Sequence, residues 1–201
     1  MREDVQRSLL GELLMLTALC RIAGVRKGAI RYTHNAYGKP ILQSPPNLHY
    51  NVSHSGRWVV CGISDSRIGV DIEAVEPIEA ETIARDFFTA QEHASIVRLP
   101  EGEMLMQFYK IWTLKESYIK AKGMGMSIPL DSFSVIAENG ETKLVVHRQE
   151  HGLECGDADF DFHQSFLDNK TAFAVCTEPK QRVHIRHVTA KELIDRSLSM
   201  T

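Results

Sequence analysis

The chain has no C-x-x-C pair. Its four cysteines, Cys20, Cys61, Cys155 and Cys176, are scattered, three of them in apolar runs. That spacing excludes a zinc ribbon or a disulfide framework and reads as buried thiols in a reducing compartment. Basic charge is not in excess: 23 Lys+Arg against 26 Asp+Glu leave a net charge of -3. A general grip on nucleic acid or on an anionic membrane is thereby excluded, and any anion site must be local. No apolar run reaches the length of a membrane span. The one stretch resembling a secretion signal, Leu9 to Cys20, is interrupted by Glu12 and preceded by Glu3 and Asp4, so a cytoplasmic protein is expected. What remains is ordinary globular material: 201 residues, 43% hydrophobic and 24% charged, enough to bury one full core or two small ones.

Apolar residues at helical spacing from Val5 to Cys20 predict a long opening helix over 3–24, with Gly24 as its stop. Turn formers between Val25 and Pro46 leave room only for short strands. Period-two alternation then begins at Leu48, and a second run at Trp58 to Ile63 follows a turn at Ser55-Gly56. From Arg67 to Glu73, Ile68, Val70 and Ile72 share one face, and Gly69, Asp71 and Glu73 share the other. Thr89-x-x-Glu92 is a capping box. A second long helix is expected over about Glu103 to Lys122, ended by Gly123. Strands are expected at Phe133 to Ala137 and Lys143 to Val146 around Asn139-Gly140, at Phe160 to Phe166 and Thr171 to Thr177 around Asp168-Asn169, and at Val183 to Val188. Thr189-x-x-Glu192 opens a terminal helix. Helix-then-strands occurs twice, and Trp58-Val-Val-Cys61 is echoed by Phe173-Ala-Val-Cys176. The expected fold is therefore α+β: two similar halves, 1–99 and 100–201, each a long helix packed on a small antiparallel sheet, with the site in the cleft between them.

Two carboxylates on one strand face, Asp71 and Glu73, repel each other unless a cation lies between them. Oxygen donors alone suit Mg2+; the plain alternative is a solvated acidic face. On the second long helix Trp112, Glu116 and Lys120 recur at i,i+4 and line one face. Glu116 completes a carboxylate trio, and Lys120 is placed to neutralise a phosphate. Read in isolation, the same two residues are an ordinary helix ion pair. Asn51-Val-Ser53-His54-Ser55-Gly56 gathers hydroxyls and an imidazole where a strand ends, which suits an anion, with Lys39 and Arg57 to add charge. His54 reads equally well as a turn histidine satisfied by a carbonyl.

Gly69-Val-Asp71-Ile-Glu73 and Trp112-Thr-Leu-Lys115-Glu116-Ser117-Tyr-Ile-Lys120-Ala-Lys-Gly123-Met-Gly125 together resemble the two signature motifs of the 4'-phosphopantetheinyl transferases. Tyr37-Gly38-Lys39-Pro40, Asn51-Val-Ser53-His54-Ser-Gly-Arg57-Trp58 and Pro129-Leu-Asp131-Ser-Phe-Ser resemble the flanking motifs of the Sfp type, the surfactin-synthetase-activating branch. The resemblance implies transfer of phosphopantetheine from coenzyme A to a serine of an apo acyl or peptidyl carrier protein, with release of 3',5'-ADP. It implies Mg2+ on Asp71, Glu73 and Glu116, with Asp71 also toward the coenzyme. Glu116 would take the serine proton and Lys120 would steady the phosphate. Ser53, His54 and Lys39 would meet the 3'-phosphate and adenosine end, with Arg7 and Ser8 of the first helix also at the coenzyme.

A monomer free of nucleic acid and membrane is expected. The same resemblance predicts an absent N-terminal segment, because Sfp-type chains carry a strand and a basic linker ahead of the Arg7-Ser8-Leu-Leu-Gly run. That absence would leave an open sheet edge in the first half, and it means either a misplaced start or a truncated relative with weakened coenzyme A binding. The rival reading is a truncated, non-catalytic carrier-binding relative, and without the resemblance the choice would be a Mg2+-dependent phosphoesterase.

Overall fold

The computed structural model describes residues 2–138, 141–147 and 160–198. The expected turn at Asn139-Gly140 and Cys155 lie outside them. Helix α1 spans Arg2–Ala23 and stops where Gly24 takes a φ of 65°. A short hairpin follows, β1 (Arg31–His34) with β2 (Pro40–Ser44). A longer one, β3 (His49–Ser55) with β4 (Trp58–Ser64), turns at Gly56-Arg57, one residue later than the sequence suggests. Next come β5 (Ile68–Ala74), α2 (Ala80–Phe87), α3 (Ala90–Val97) and α4 (Glu101–Lys122). The chain continues through β6 (Phe133–Glu138), β7 (Glu141–Val146), β8 (Asp161–Phe166), β9 (Thr171–Thr177) and α5 (Ala190–Leu198). Both capping boxes form as read: Thr89 and Glu92 exchange bonds at α3, and Thr189 and Glu192 do so at α5. Gly123 ends α4 in the left-handed region, where its φ of 72° favours glycine, and a Cβ there would stand 2.7 Å from the Lys39 side chain.

The architecture is α+β. Helix α1 packs on the β3–β4 hairpin over Met15, Leu19, Cys20, Ile30 and Tyr50. Helix α4 packs on a three-stranded antiparallel sheet of order β5-β9-β8, with Phe108, Ile111, Leu114 and Tyr118 at its centre. Strand β5 therefore lies where the two helix-and-sheet units join: it follows the first hairpin in sequence and pairs with β9 of the second unit. On the opposite face of that sheet Ile68, Val70, Ile72, Phe173 and Val175 form a separate apolar cluster with Trp58 and Val60.

One contact controls how α4 meets β5. A Cβ on Gly69 would stand 1.9 Å from the Ser117 carbonyl oxygen and 2.3 Å from the Ala121 nitrogen. Only glycine permits this approach, and it brings Asp71, two residues along the same face, against the same helix. Two expectations are corrected. Val183 to Val188 forms no strand: residues 181–189 are irregular and have no place in any sheet. Helix α2 went unforeseen, because its eight residues follow Pro77 and bury only Ala80 and Ala84. Cys20 and Cys176 are buried, Cys61 half-buried, and all three are free thiols. Among the described residues, no helix is long and apolar enough to cross a membrane.

Candidate active site

Strand β3 does not pair with β5 through a backbone ladder. Its alternate polar side chains do the work instead: Asn51 Oδ1 accepts from Val70 N at 2.8 Å, and Ser55 Oγ accepts from Ala74 N at 3.0 Å. Ser55 Oγ also donates to Glu73 at 2.9 Å, and Ser53 Oγ to Asp71 Oδ1 at 3.1 Å. The hydroxyls read from sequence as an anion loop thus face the acids of β5. His54, pointing the other way on the strand, is exposed.

Asp71 is 2% exposed, and Lys120 Nζ donates to its Oδ1 at 2.5 Å and to Ser53 Oγ at 3.1 Å. Its other oxygen, Oδ2, is buried without a hydrogen-bond partner. Burial is the largest influence on Asp71 and raises its pKa, with Lys120 and Ser53 pulling the other way. Burial also raises Glu73 and Glu116, and the Asp71 charge adds to both. The three acids therefore share one field. Glu116, Lys120 and Trp112 line a cleft of about 960 Å3 with Lys39, Asn51 and Gly123; that volume is at the upper end of ligand sites, roughly 300–1,000 Å3.

Among the described residues no three acidic, histidine or cysteine side chains close into a finished metal cage. The donor set nevertheless fits a hard divalent ion. All its atoms are carboxylate oxygens, one of them is buried without a partner, burial raises the pKa of all three acids, and the Asp71 charge raises those of Glu73 and Glu116 further. Glu116→Gln, which removes one of these charges, is expected to raise the unfolding midpoint by about 2–4 °C, or ~1 kcal/mol, in magnesium-free buffer. Calorimetry with chelator and with excess Mg2+ checks this: the gain should shrink when the ion is supplied, and a lower midpoint in chelator would refute the shared field.

The remaining sequence candidates are placed as follows. Lys39 donates to three main-chain carbonyls: Lys120, Ala121 at 3.3 Å and Ile68 at 3.3 Å. It thereby ties β2 to the end of α4 and the start of β5, and burial pulls its pKa down to about 8. Arg7 donates to the Gly56 carbonyl at 3.0 Å, pinning the β3–β4 turn to α1. Ser8 is exposed on α1. Sequence reasoning missed Asn35, whose Nδ2 donates to the Gly123 carbonyl at 2.7 Å and whose Oδ1 accepts from the amides of Tyr37 and Lys39. An asparagine two residues before Tyr37-Gly38 is the signal of such a turn. Also missed was the part played by Lys115 inside its motif, which turns away from the cleft into the core.

Fold and site define an α+β protein with clustered acids and a lysine at the cleft where its two helix-and-sheet units meet, equipped for a multiply charged substrate. The chain belongs to the 4'-phosphopantetheinyl transferase superfamily, whose family model matches residues 67–187. A second model, for the N-terminal part of a 4'-phosphopantetheinyl transferase, matches residues 1–67. The expectation of an absent N-terminal segment is therefore unsupported and is withdrawn. The 4'-phosphopantetheinyl transferase Sfp of Bacillus subtilis is 41% identical over 144 residues, which cover 71% of this chain and 64% of that protein. The 4'-phosphopantetheinyl transferase psf-1 of Bacillus pumilus is 32% identical over 195 residues, covering 96% and 80%. The holo-acyl-carrier-protein synthase of Thermotoga maritima is 21% identical, with a TM-score of 0.45 over 58% of this chain and 64% of that one.

Proposed function

We propose that the chain transfers 4'-phosphopantetheine from coenzyme A to a serine of an apo carrier protein, releasing 3',5'-ADP. The observation that carries this reading is the Asp71–Lys120 pair, with its partnerless carboxylate oxygen, beside Glu116 on a cleft large enough for a nucleotide and its arm. Buried acids that raise one another's pKa are costly to keep. A module that merely bound a carrier needs none of them, which supports the enzyme over the rival.

Asp71, Glu73 and Glu116 would hold Mg2+, which when bound screens the negative charge of the pyrophosphate. Glu116, its pKa raised by burial and by Asp71, is suited to accept the hydroxyl proton of the attacking serine. Lys120, 29% exposed and already sharing its ammonium between Asp71 and Ser53, is placed to hold the phosphate and to protonate the departing 3',5'-ADP. Ser53 and His54, with Arg7 and Ser8 from α1, are proposed for the 3'-phosphate and adenosine end. Lys39 joins them only by exchanging main-chain carbonyls for phosphate. The site draws all its acids from one chain, so a monomer suffices, and the free thiols suit the cytoplasm.

Intact-mass analysis of an apo carrier incubated with this protein, coenzyme A and Mg2+ tests the reading. A mass gain on the carrier with matching 3',5'-ADP supports it. A stable complex with an unchanged carrier would leave only the binder.

The loop after α4 is proposed to receive the carrier. Met126 is fully exposed on the rim of the cleft, Met124 is half-buried, and Ile128 is 2% exposed and belongs to the core. Met126→Ser is therefore expected to raise KM for the carrier about tenfold, roughly 1.4 kcal/mol, without moving KM for coenzyme A. Unchanged carrier kinetics would remove Met126 from the docking surface.

A further inference from the structure

Helix α4 does not cap its own C-terminus. Its ladder ends with Gly123 N on the Ile119 carbonyl, and beyond that ladder no backbone N–H of the described residues reaches the carbonyls of Lys120, Ala121 or Gly123. Carbonyls at a helix end need partners from outside, and the negative end of the helix dipole favours a cation there. The β1–β2 turn supplies both. Lys39 Nζ donates to the Lys120 carbonyl and, at 3.3 Å, to that of Ala121, while Asn35 Nδ2 donates to that of Gly123 at 2.7 Å. The third N–H of Lys39 reaches the Ile68 carbonyl at 3.3 Å, beside Gly69, on which α4 rests.

The turn is itself built to present these donors. Asn35 Oδ1 accepts from the amides of Tyr37 and Lys39 at 2.9 Å each, and Asn35 N donates to the Lys39 carbonyl. Only this orientation of the amide satisfies all its partners, so one asparagine orders the turn with its oxygen and grips α4 with its nitrogen. Gly123 sits between the two grips, where a Cβ would also stand 3.3 Å from Asn35 Nδ2.

An ammonium has three N–H groups, and those of Lys39 are all spent on main chain. A phosphate could reach this lysine only by stripping carbonyls at a helix end of their partner. What the turn holds instead is the main chain of Lys120, whose ammonium lies on Asp71 and Ser53.

We infer, resting on the role proposed for Lys120 at the transferring phosphate, that Lys39 and Asn35 are positioning residues for the transfer. They clamp the last turn of α4, and with it the Lys120 ammonium, and Lys39 takes no part in binding the 3'-phosphate of coenzyme A. Lys39 then acts on the rate through Lys120, and discrimination for the 3'-phosphate comes from other residues.

The test compares the full chain with two variants. Lys39→Met keeps the stem and removes the three donors; Asn35→Asp keeps the acceptor that orders the turn and removes the donor to Gly123. With an apo carrier as acceptor, kcat should fall about 10²-fold for Lys39→Met and about tenfold for Asn35→Asp. Calorimetry with coenzyme A and with dephospho-coenzyme A, which lacks the 3'-phosphate, should give a preference within about twofold of the parent's in both. Residue-resolved hydrogen exchange should show the amides of Lys122 and Gly123 opening about tenfold faster, with that of Leu114 in mid-helix unchanged. If Lys39→Met fails to fold, Asn35→Asp decides by the same three measurements. A preference reduced by about tenfold or more in Lys39→Met, with kcat kept, would make Lys39 a phosphate ligand and overturn the inference. Unchanged exchange at Lys122 and Gly123, or kcat kept in both variants, would overturn it equally. A parent chain that forms no holo carrier would instead refute the transfer reading, and the exchange measurement would still decide for or against the clamp.

Discussion

Asp71→Ala is expected to reduce phosphopantetheine transfer by ~10³-fold or more, a loss of about 4 kcal/mol of transition-state stabilisation. Among the three acids Asp71 has the most to lose. It is 2% exposed, takes Lys120 and Ser53 on one oxygen, and keeps the other free of protein partners. Its removal takes away one of the ligands proposed for the ion and also frees Lys120 from its position. The fold should tolerate the change, because Lys120 is 29% exposed and its ammonium can be taken up by water. A midpoint of unfolding close to that of the parent protein should therefore accompany the loss of activity. Single-turnover formation of holo carrier, followed by mass, separates the chemical step from carrier binding. Near-normal turnover by the variant, or full activity of the parent protein in excess chelator, would sink the assignment.

How far such a site is legible in advance depends on the range of the forces that build it. The period-two face of Gly69, Asp71 and Glu73 and the i,i+4 row of Trp112, Glu116 and Lys120 are local properties of one strand and one helix, and both survive in the fold. Their meeting is not local. It depends on a glycine whose missing Cβ lets α4 rest on β5, and a sequence shows that glycine without showing what approaches it. Lys39 illustrates the same limit. A lysine after Tyr37-Gly38 invites a phosphate, yet its ammonium crosses to carbonyls further along the chain, two of them some eighty positions away. The alternation of Val183 to Val188 is another case, since a strand pattern is completed only by a partner edge, and among the described residues no strand pairs with it. The pairing of β5 with β9 is of this kind too, joining segments about a hundred residues apart whose mutual register only the three-dimensional packing decides.

Lys115→Met is expected to lower the stability of the fold by about 3–5 kcal/mol, a drop in midpoint of roughly 6–20 °C, while leaving the proposed transfer reaction of the folded protein nearly intact. Lys115 stands next to Glu116 in the chain but faces the opposite way. It is 0% exposed, and its three N–H groups are spent on Glu92 Oε2 at 2.9 Å, the Leu130 carbonyl at 2.8 Å and the Phe133 carbonyl at 2.5 Å, with the Phe133 ring 4.2 Å away. Burial lowers its pKa to about 8 against the pull of Glu92. Glu92 is as fully engaged: it caps α3 through Thr89, and its Oε1 accepts from Val135 N at 2.9 Å on β6. One ion pair thus joins α3, α4 and β6 behind the face that carries Glu116 and Lys120. Methionine matches the lysine stem but leaves the Glu92 carboxylate buried without its cation, and that uncompensated charge sets the cost. Adding Glu92→Gln to Lys115→Met removes it and should restore a substantial part of the loss. Urea and thermal unfolding of the single and double variants measure the coupling, and kcat at low temperature, where the variant is still folded, measures the site. A Lys115→Met protein with unchanged stability, or one with parent stability and abolished turnover, would move Lys115 from the scaffold into the reaction.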